Sequence, residues 1–210
     1  MTQMWQVNFW GVRGSTPQTG PDFVEVGGHT SCVSVTAGKN LYIFDAGTGL
    51  IDCGEWILSR EKPEKVYLFL SHAHLDHITG LPFFAPLWLK DWEMNIFAAS
   101  LASYGGLHKT LSRIFTPPYF PVSWEEVPSK IHLTDLNALE PLRLPDGVSV
   151  ETIELDHPGG SSGYRMKHNN LSLAYISDSS PMPGSENLTS FVKDVDLLIY
   201  DATFTDEELA

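Results

Sequence analysis

The segment FLSHAHLDHITG, residues 69–80, places three of the eight histidines of this 210-residue chain, and one aspartate, within six positions. His72 and His74 stand two apart on an extended backbone, so their side chains point to the same side. The turn that follows brings Asp76 and His77 towards a second point nearby. Because imidazole nitrogens and a carboxylate suit zinc, manganese and iron, the segment predicts a metal site in this loop.

The elements around this segment indicate an α/β protein. The apolar run KVYLFL, residues 65–70, is typical of a strand buried on both faces. Helices are expected over residues 50–60, 78–89, 101–115 and 186–194, with Pro82 near the first turn of the second, and the proline-rich residues 116–130 are expected to be irregular. Further strands are expected over residues 6–12, 31–37, 40–47, 94–100, 131–136, 148–157, 163–168, 171–178 and 196–202. This mixture favours a layered α/β sandwich.

Three more polar residues end predicted strands, where α/β proteins place functional side chains. His157 and Asp178 are candidate metal ligands, but an ordinary loop histidine and a turn or helix-capping aspartate fit the same positions. Asp45 begins a glycine turn in IFDAGTGL. We expect Asp45 to accept the N–H of a metal-bound histidine rather than to bind metal itself, since such histidines commonly donate their second N–H to a carboxylate.

The composition limits the function classes. Twenty-six acidic and 13 basic residues give a formal net charge of −13 and a sequence pI near 4.8, so a large nucleic-acid surface is not expected. No apolar run reaches the ~18 residues that a membrane helix needs, and no leader precedes the first strand, so a cytoplasmic protein without membrane contact is expected. Cys32 and Cys53 are expected to be reduced, partly buried thiols. The sequence leaves assembly as a homodimer open.

Seven motifs, in the same order, carry a resemblance to a known family. They are GVRGSTP, GGHTSCVSV, DAGTGL, SHAHLDHITGLPFF, DHPGGSSGYR, AYISDSS and LLIYDATFTDEE. Together they resemble the metallo-β-lactamase fold superfamily, whose members hydrolyse esters, thioesters, lactams and phosphodiesters. The order is similar to that of a phosphodiesterase-like branch related to the nucleases that trim transfer-RNA 3′ ends. The resemblance implies an α/β fold with a four-layer αββα sandwich.

The resemblance also implies a site with two divalent metal ions, zinc first, with manganese or iron as alternatives. His72, His74 and His157 would hold the first metal, Asp76 and His77 the second, and Asp178 would bridge both. A metal-bridging hydroxide would be the nucleophile, oriented by Asp76, and Asp201 would help to deliver a proton to the leaving group. His29 stands where the branch usually has asparagine. His108, His132 and His168 are expected at the surface.

In the family, a Gly-His-Ser/Thr segment and a further histidine follow the strand that ends near Asp201. The sequence stops at Ala210. Residues 1–210 are therefore interpreted as a single domain that lacks a C-terminal strand-helix-strand portion.

The expected substrate is a small phosphodiester, such as a cyclic nucleotide or a phosphocholine-type ester. The aromatic residues of segment 116–130 would offer a stacking surface to a base or a choline group, although packing on the core explains them equally well. A lactone, thioester or β-lactam hydrolase of the same fold is one alternative. A metal-binding scaffold protein without catalysis is an alternative of another class.

Overall fold

The first half of the chain forms one six-stranded sheet, with the strand order β1-β2-β3-β4-β5-β6. The computed structural model describes residues 4–137, 140–180 and 186–202, and it contains two compact units, Met1–Asp135 and Leu136–Ala210. The strands of the first unit are β1 Trp5–Gly11, β2 Cys32–Ala37, β3 Asn40–Phe44, β4 Lys65–Leu70, β5 Glu93–Ala98 and β6 Lys130–Asp135. β1, β2 and β3 pair antiparallel, and β3 to β6 pair parallel.

The strands β2, β3, β4 and β5 are largely buried along their length, which explains their apolar runs, whereas β6 at the edge is mostly exposed. One face carries aliphatic residues such as Leu68 and Ile96, which belong to the hydrophobic core of the unit. The other face carries stacked aromatic rings on neighbouring strands: Tyr42 lies 5.2 Å from Tyr67, and Phe69 lies 5.0 Å from Phe97. Alternate residues of each strand therefore serve opposite faces, as strand geometry requires.

Helices α1 Gly49–Leu58 and α3 Gly106–Ile114 were expected, but the helix predicted over residues 78–89 is wrong. Helix α2 spans only Leu75–Ile78. Two 3₁₀ helices follow, Leu81–Phe83 and Ala85–Trp88, each with a proline in its first turn. Because proline removes a backbone N–H and clashes with the preceding turn, Pro82 and Pro86 limit this segment to short pieces.

Residues 116–130 are largely irregular, as predicted, with one short 3₁₀ helix at Trp124–Glu126. Another 3₁₀ helix, Ala102–Tyr104, precedes α3 where one longer helix was expected. One more 3₁₀ helix, Pro21–Phe23, lies in the loop between β1 and β2. Cys32 and Cys53 are free thiols, as expected, but they are fully rather than partly buried. Burial first, and then the neighbouring Cys53 thiol, raise the pKa of Cys32.

The second unit contains a five-stranded sheet with the order β11-β10-β9-β8-β7 and one helix, α4 Glu186–Val192. Its strands are β7 Leu142–Arg143, β8 Ser149–Leu155, β9 Ser161–His168, β10 Leu171–Ile176 and β11 Leu197–Tyr200. All pairs are antiparallel except the parallel pair β10 and β11. The two-residue strand β7 was not predicted from the sequence.

The loops after β3 and β4 interlock through two glycines. A Cβ atom at Gly47 would lie 2.2 Å from the carbonyl oxygen of Asp76, and one at Gly80 would lie 2.0 Å from the carbonyl oxygen of Gly47. The Ala46 N–H donates to the carbonyl of His77, and the Gly80 N–H donates to that of Ala46. This backbone contact places the candidate metal ligands of the loop after β4 close to Asp45. In the described ranges, no helix has the length and apolar character to span a bilayer.

Candidate metal centre

A buried carboxylate, Asp45, lies at the centre of the candidate site in the first unit. Asp45 directly follows β3 and has a positive φ of 61°, a conformation that aspartate tolerates better than most residues. Its Oδ2 atom is 2.7 Å from Nδ1 of His77, and both side chains are fully buried. The predicted contact between Asp45 and a histidine N–H is therefore confirmed.

Ser71 connects the same carboxylate to a second histidine. The Ser71 N–H donates to Oδ1 of Asp45 at 2.7 Å, and the Ser71 hydroxyl donates to Oδ2 at 2.8 Å. The Ser71 oxygen is also 2.9 Å from Nδ1 of His72. Asp45, Ser71, His72 and His77 therefore form one hydrogen-bonded group, which we call the buried hub.

The hub determines which ring nitrogens carry protons. Because a hydroxyl has one hydrogen and Ser71 gives it to Asp45, Nδ1 of His72 is the donor to Ser71. Nδ1 of His77 likewise donates to Asp45. In the neutral form of both rings, Nε2 then carries the lone pair. Neutral imidazole with the second N–H held by an oxygen is the usual state of a metal-binding histidine, so the donor set fits a metal ion.

His74 and Asp76 complete the predicted donors of this loop. His74 is exposed, and one of its ring nitrogens lies within 4.8 Å of one of His72. Oδ2 of Asp76 is 3.5 Å from Nε2 of His77. Burial acts to raise the pKa of the Asp76 carboxyl. While the His77 ring carries a proton on Nε2, its hydrogen bond and charge, together with the N–H of Ser15, outweigh burial and hold this pKa below its usual value.

In the second unit, the structure brings His157 and Asp178 together. Nε2 of His157 is 3.5 Å from Oδ2 of Asp178, and the two side chains are 17% and 29% exposed. His157 follows β8 and Asp178 follows β10, as the sequence indicated. A cavity of about 640 Å³ lies beside His157, with Asp156, Ser180, Asn187 and Leu188 among its lining residues.

The other candidates occupy varied settings. Asp201 is half-buried just after β11, and its N–H donates to the carbonyl of Ile176. His108 and His132 are exposed, as expected, whereas His168 is half-buried. In segment 116–130, Trp124 is buried against Phe115, which supports core packing, while Tyr119 is 82% exposed. The residues of the last motif beyond Ala202 lie outside the described residues.

Two residues with a direct place in the site were missed by sequence reasoning. Ser71 bridges Asp45 and His72, and its only signal was its position immediately before the first histidine. Ser15 donates its N–H to Oδ2 of Asp76 at 2.8 Å from 61 positions away. No spacing rule connects positions so far apart.

Solved structures share this fold. YhfI from Bacillus subtilis, a metallo-β-lactamase fold protein, superposes with a TM-score of 0.64 at 18% identity over 92% of this chain and 69% of its own. The short form of human tRNase Z gives 0.63 at 20% identity, over 97% and 80%. A diphosphatase of the PhnP family gives 0.63 at 18%, over 93% and 73%. The α/β metallo-β-lactamase fold is thus confirmed.

The family follows from the sequence match. The chain belongs to the family described as β-lactamase superfamily domain, whose model matches residues 41–210. Ribonuclease Z of Exiguobacterium sibiricum is 25% identical over 211 residues, covering 77% of this chain and 68% of the relative. Ribonuclease Z of Streptococcus pneumoniae strain CGSP14 is 33% identical over 132 residues, covering 58% of this chain and only 40% of the relative. These matches support a hydrolase that is related to ribonuclease Z enzymes.

Proposed function

We propose that this protein is a metal-dependent hydrolase of a small phosphodiester, such as a cyclic nucleotide or a phosphocholine-type ester. His72, His74 and His157 would hold one divalent metal, and Asp76 and His77 a second, with Asp178 shared by both. Zinc fits these nitrogen and oxygen donors, as do manganese and iron. When bound, such metals lower the pKa of a water molecule to about 7 and neutralise charge on phosphoryl oxygens.

The chain's own residues prepare this site. The buried hub directs the Nδ1–H groups of His72 and His77 towards oxygen atoms, so in the neutral form of both rings the Nε2 lone pairs are available to a ligand. Asp76, with a lowered pKa, is ionised at neutral pH and acts as ligand and orienting group. Asp201 is the proposed participant in proton delivery to the leaving oxygen.

The choice of a small substrate rests on the charge of the surface and on the ion pairs that its basic side chains form. Five lysines, out of 13 basic residues in the chain, lie within 3.5 Å of a carboxylate. These are Lys39, Lys62, Lys65, Lys130 and Lys167. With these lysines beside carboxylates and a formal net charge of −13, the surface gives little affinity for RNA.

The cavity beside His157 supports the same choice. Among its described lining residues there is no lysine or arginine, and the polar groups are the His157 imidazole and serine, asparagine and carboxylate side chains. Such a lining suits the alcohol portion of a phosphodiester substrate, whether that portion carries hydroxyl groups or a positive charge. It suits an additional phosphate less well.

Processing of transfer-RNA 3′ ends is the second candidate function, because both relatives named above are ribonuclease Z enzymes. The two functions make opposite demands on substrate length and on salt. Binding of a long RNA weakens steeply with ionic strength, whereas turnover of a small diester with one phosphate depends on salt only weakly.

A substrate panel tests the proposal. The zinc- and manganese-loaded protein is assayed on bis-p-nitrophenyl phosphate, a 2′,3′-cyclic nucleotide, p-nitrophenyl phosphorylcholine, a precursor transfer RNA, a lactone, a thioester and a chromogenic β-lactam. We expect turnover of at least one small diester, and His74→Ala should abolish it. His108→Ala, on an exposed histidine, is the matched control and should leave turnover unchanged.

Other outcomes point elsewhere. Cleavage of the precursor RNA with no turnover of small diesters would establish the second candidate instead. Turnover of the lactone, thioester or lactam alone would place the protein among the carboxyl hydrolases of this fold. Stoichiometric metal binding with no turnover of any substrate would favour the scaffold alternative.

A further inference from the structure

Asp76 is held by a segment that is remote in sequence. The Ser15 N–H donates to Oδ2 of Asp76 at 2.8 Å, and the same oxygen lies 3.5 Å from Nε2 of His77. The hydrogen bond from Ser15 fixes one carboxylate oxygen of Asp76 and thereby restricts the direction of the other oxygen. Both residues belong to the first unit. Ser15 lies in the loop between β1 and β2, and Asp76 lies in α2.

Ser15 has an unusual backbone conformation, with a positive φ of 65°. Residues other than glycine rarely adopt this left-handed region, and β-branched residues are outliers there. Such strain persists when the surrounding structure imposes it, and it is frequent at functional sites. Here the left-handed turn directs the N–H towards the carboxylate.

The loop that carries Ser15 is fastened on both sides of this turn. The Arg13 N–H donates to the carbonyl of His29 at 3.0 Å, and the Gln18 N–H donates to that of Gly28 at 2.9 Å. A Cβ atom at Gly28 would lie 1.8 Å from the carbonyl oxygen of Gln18, so only glycine permits this approach. The backbone of residues 28 and 29 therefore holds the Ser15 turn in place.

His29 attaches the same backbone to helix α1. Its Nδ1 atom is 3.1 Å from the hydroxyl oxygen of Thr48, and its Nε2 atom is 3.4 Å from a carboxylate oxygen of Asp52. Thr48 also accepts the N–H of Thr30. A series of contacts therefore connects α1 to Asp76 through His29 and the Ser15 turn. In this series, His29 helps to hold the Ser15 turn against α1.

We propose that the backbone N–H of Ser15 is a positioning group for Asp76, and that the left-handed turn, not the serine hydroxyl, is what the site requires. This role rests on the proposed metal-binding function of Asp76. The turn reduces the orientations open to the carboxylate before a metal arrives. Loss of groups that orient metal ligands typically costs about 10–100-fold in metal affinity.

Three substitutions of Ser15 distinguish the effect of the left-handed turn on zinc binding from the effect of the serine hydroxyl. Ser15→Gly keeps the N–H and favours the positive φ, so it should retain at least the wild-type zinc affinity. Ser15→Ala removes only the hydroxyl and should differ little from wild type. Ser15→Val opposes the positive φ and should weaken zinc binding about tenfold or more relative to Ser15→Gly, measured by competition with a chromophoric chelator. Equal affinities of the Val and Gly variants would overturn the proposal.

A metal-free measurement gives an independent answer. The Ser15 amide proton should exchange with solvent about tenfold faster in Asp76→Ala than in wild type, because its acceptor is gone. The same exchange rate should stay unchanged in His108→Ala. An Asp76→Ala variant with unaltered Ser15 exchange would show that the contact does not hold in solution.

These readouts remain separate from the proposed function. Wild-type protein that binds zinc but hydrolyses no phosphodiester would refute the function while leaving the Ser15 comparison decisive. Wild-type protein that binds no zinc would refute both the metal centre and the positioning role, whatever the exchange rates.

Discussion

Asp45 and Glu93 are both carboxylates of the first sheet that lie close to a histidine, yet they sit at opposite ends of the parallel strands. Asp45 follows the end of β3, is fully buried and accepts hydrogen bonds from Ser71 and His77. Glu93 begins β5, has a side chain that is 36% exposed, and lies 3.1 Å from His132. Lys65 and Lys130, the first residues of β4 and β6, lie 3.5 Å and 3.3 Å from Glu93.

The difference shows that the residue types in a cluster do not by themselves determine what the cluster can do. At Glu93, water and flexible lysines share the charge, so His132 is free to change its position at little cost. At Asp45, burial removes water as a partner, and every proton in the hub must have a defined place. Only the buried cluster can therefore present histidine nitrogens in one fixed state to a metal.

The largest effect is expected for Asp45→Ala. This change leaves two donors of Ser71 and the Nδ1–H of His77 buried without their acceptor, and each buried unsatisfied donor costs about 1–3 kcal/mol. Urea unfolding of the metal-free protein measures the loss. The matched change Glu93→Ala should leave the unfolding midpoint nearly unaltered. Similar midpoints for the two variants would mean that burial does not separate the clusters.

An intermediate effect is expected for Ser71→Ala. It removes the hydroxyl that joins Asp45 to His72 but keeps the backbone donor, so the expected loss is about 1–3 kcal/mol. Nitrogen NMR of the metal-free protein should show His72 redistributing between its two tautomers while His77 keeps its proton on Nδ1. Ser112→Ala, which removes a hydroxyl bonded within α3, is the control and should alter neither histidine. An unchanged His72 spectrum would contradict the bridging role.

The smallest effect concerns pH at the exposed cluster. The hydrogen bond from Lys130 is the main cause that holds the pKa of Glu93 below its usual value, against some desolvation and with help from His132. A carboxyl with a lowered folded-state pKa stabilises the protein above its unfolded pKa of about 4.3, and this contribution disappears as the pH falls through the folded value. Glu93→Gln should remove this small dependence. Melting curves between pH 3 and 6 check it, and about 1 M salt should produce the same flattening in wild type.

Sequence reasoning succeeded where one residue type and its neighbours determine the outcome. The strand assignments followed from apolar runs, and the Asp45–His77 contact followed from the chemistry of histidine ligands. The helix expected over residues 78–89 failed because Pro86, inside the expected helix, was given too little weight. Ser71 and Ser15 could not be found, since serine is common and their contacts depend on how distant loops meet. The joint ligand set that includes His157 and Asp178 stays a prediction.

The interlocked glycines have a consequence for protein engineering. Gly47 and Gly80 allow the loop after β3 and the loop after β4 to approach with no room for a side chain at either position. The histidine-rich loop is therefore not a portable peptide, because its shape is defined by a second strand connection that it touches along the backbone. A graft of residues 71–80 into another scaffold would have to carry residues 45–49 as part of the same insert. Combinatorial libraries that vary the ligands would likewise need both glycines kept constant.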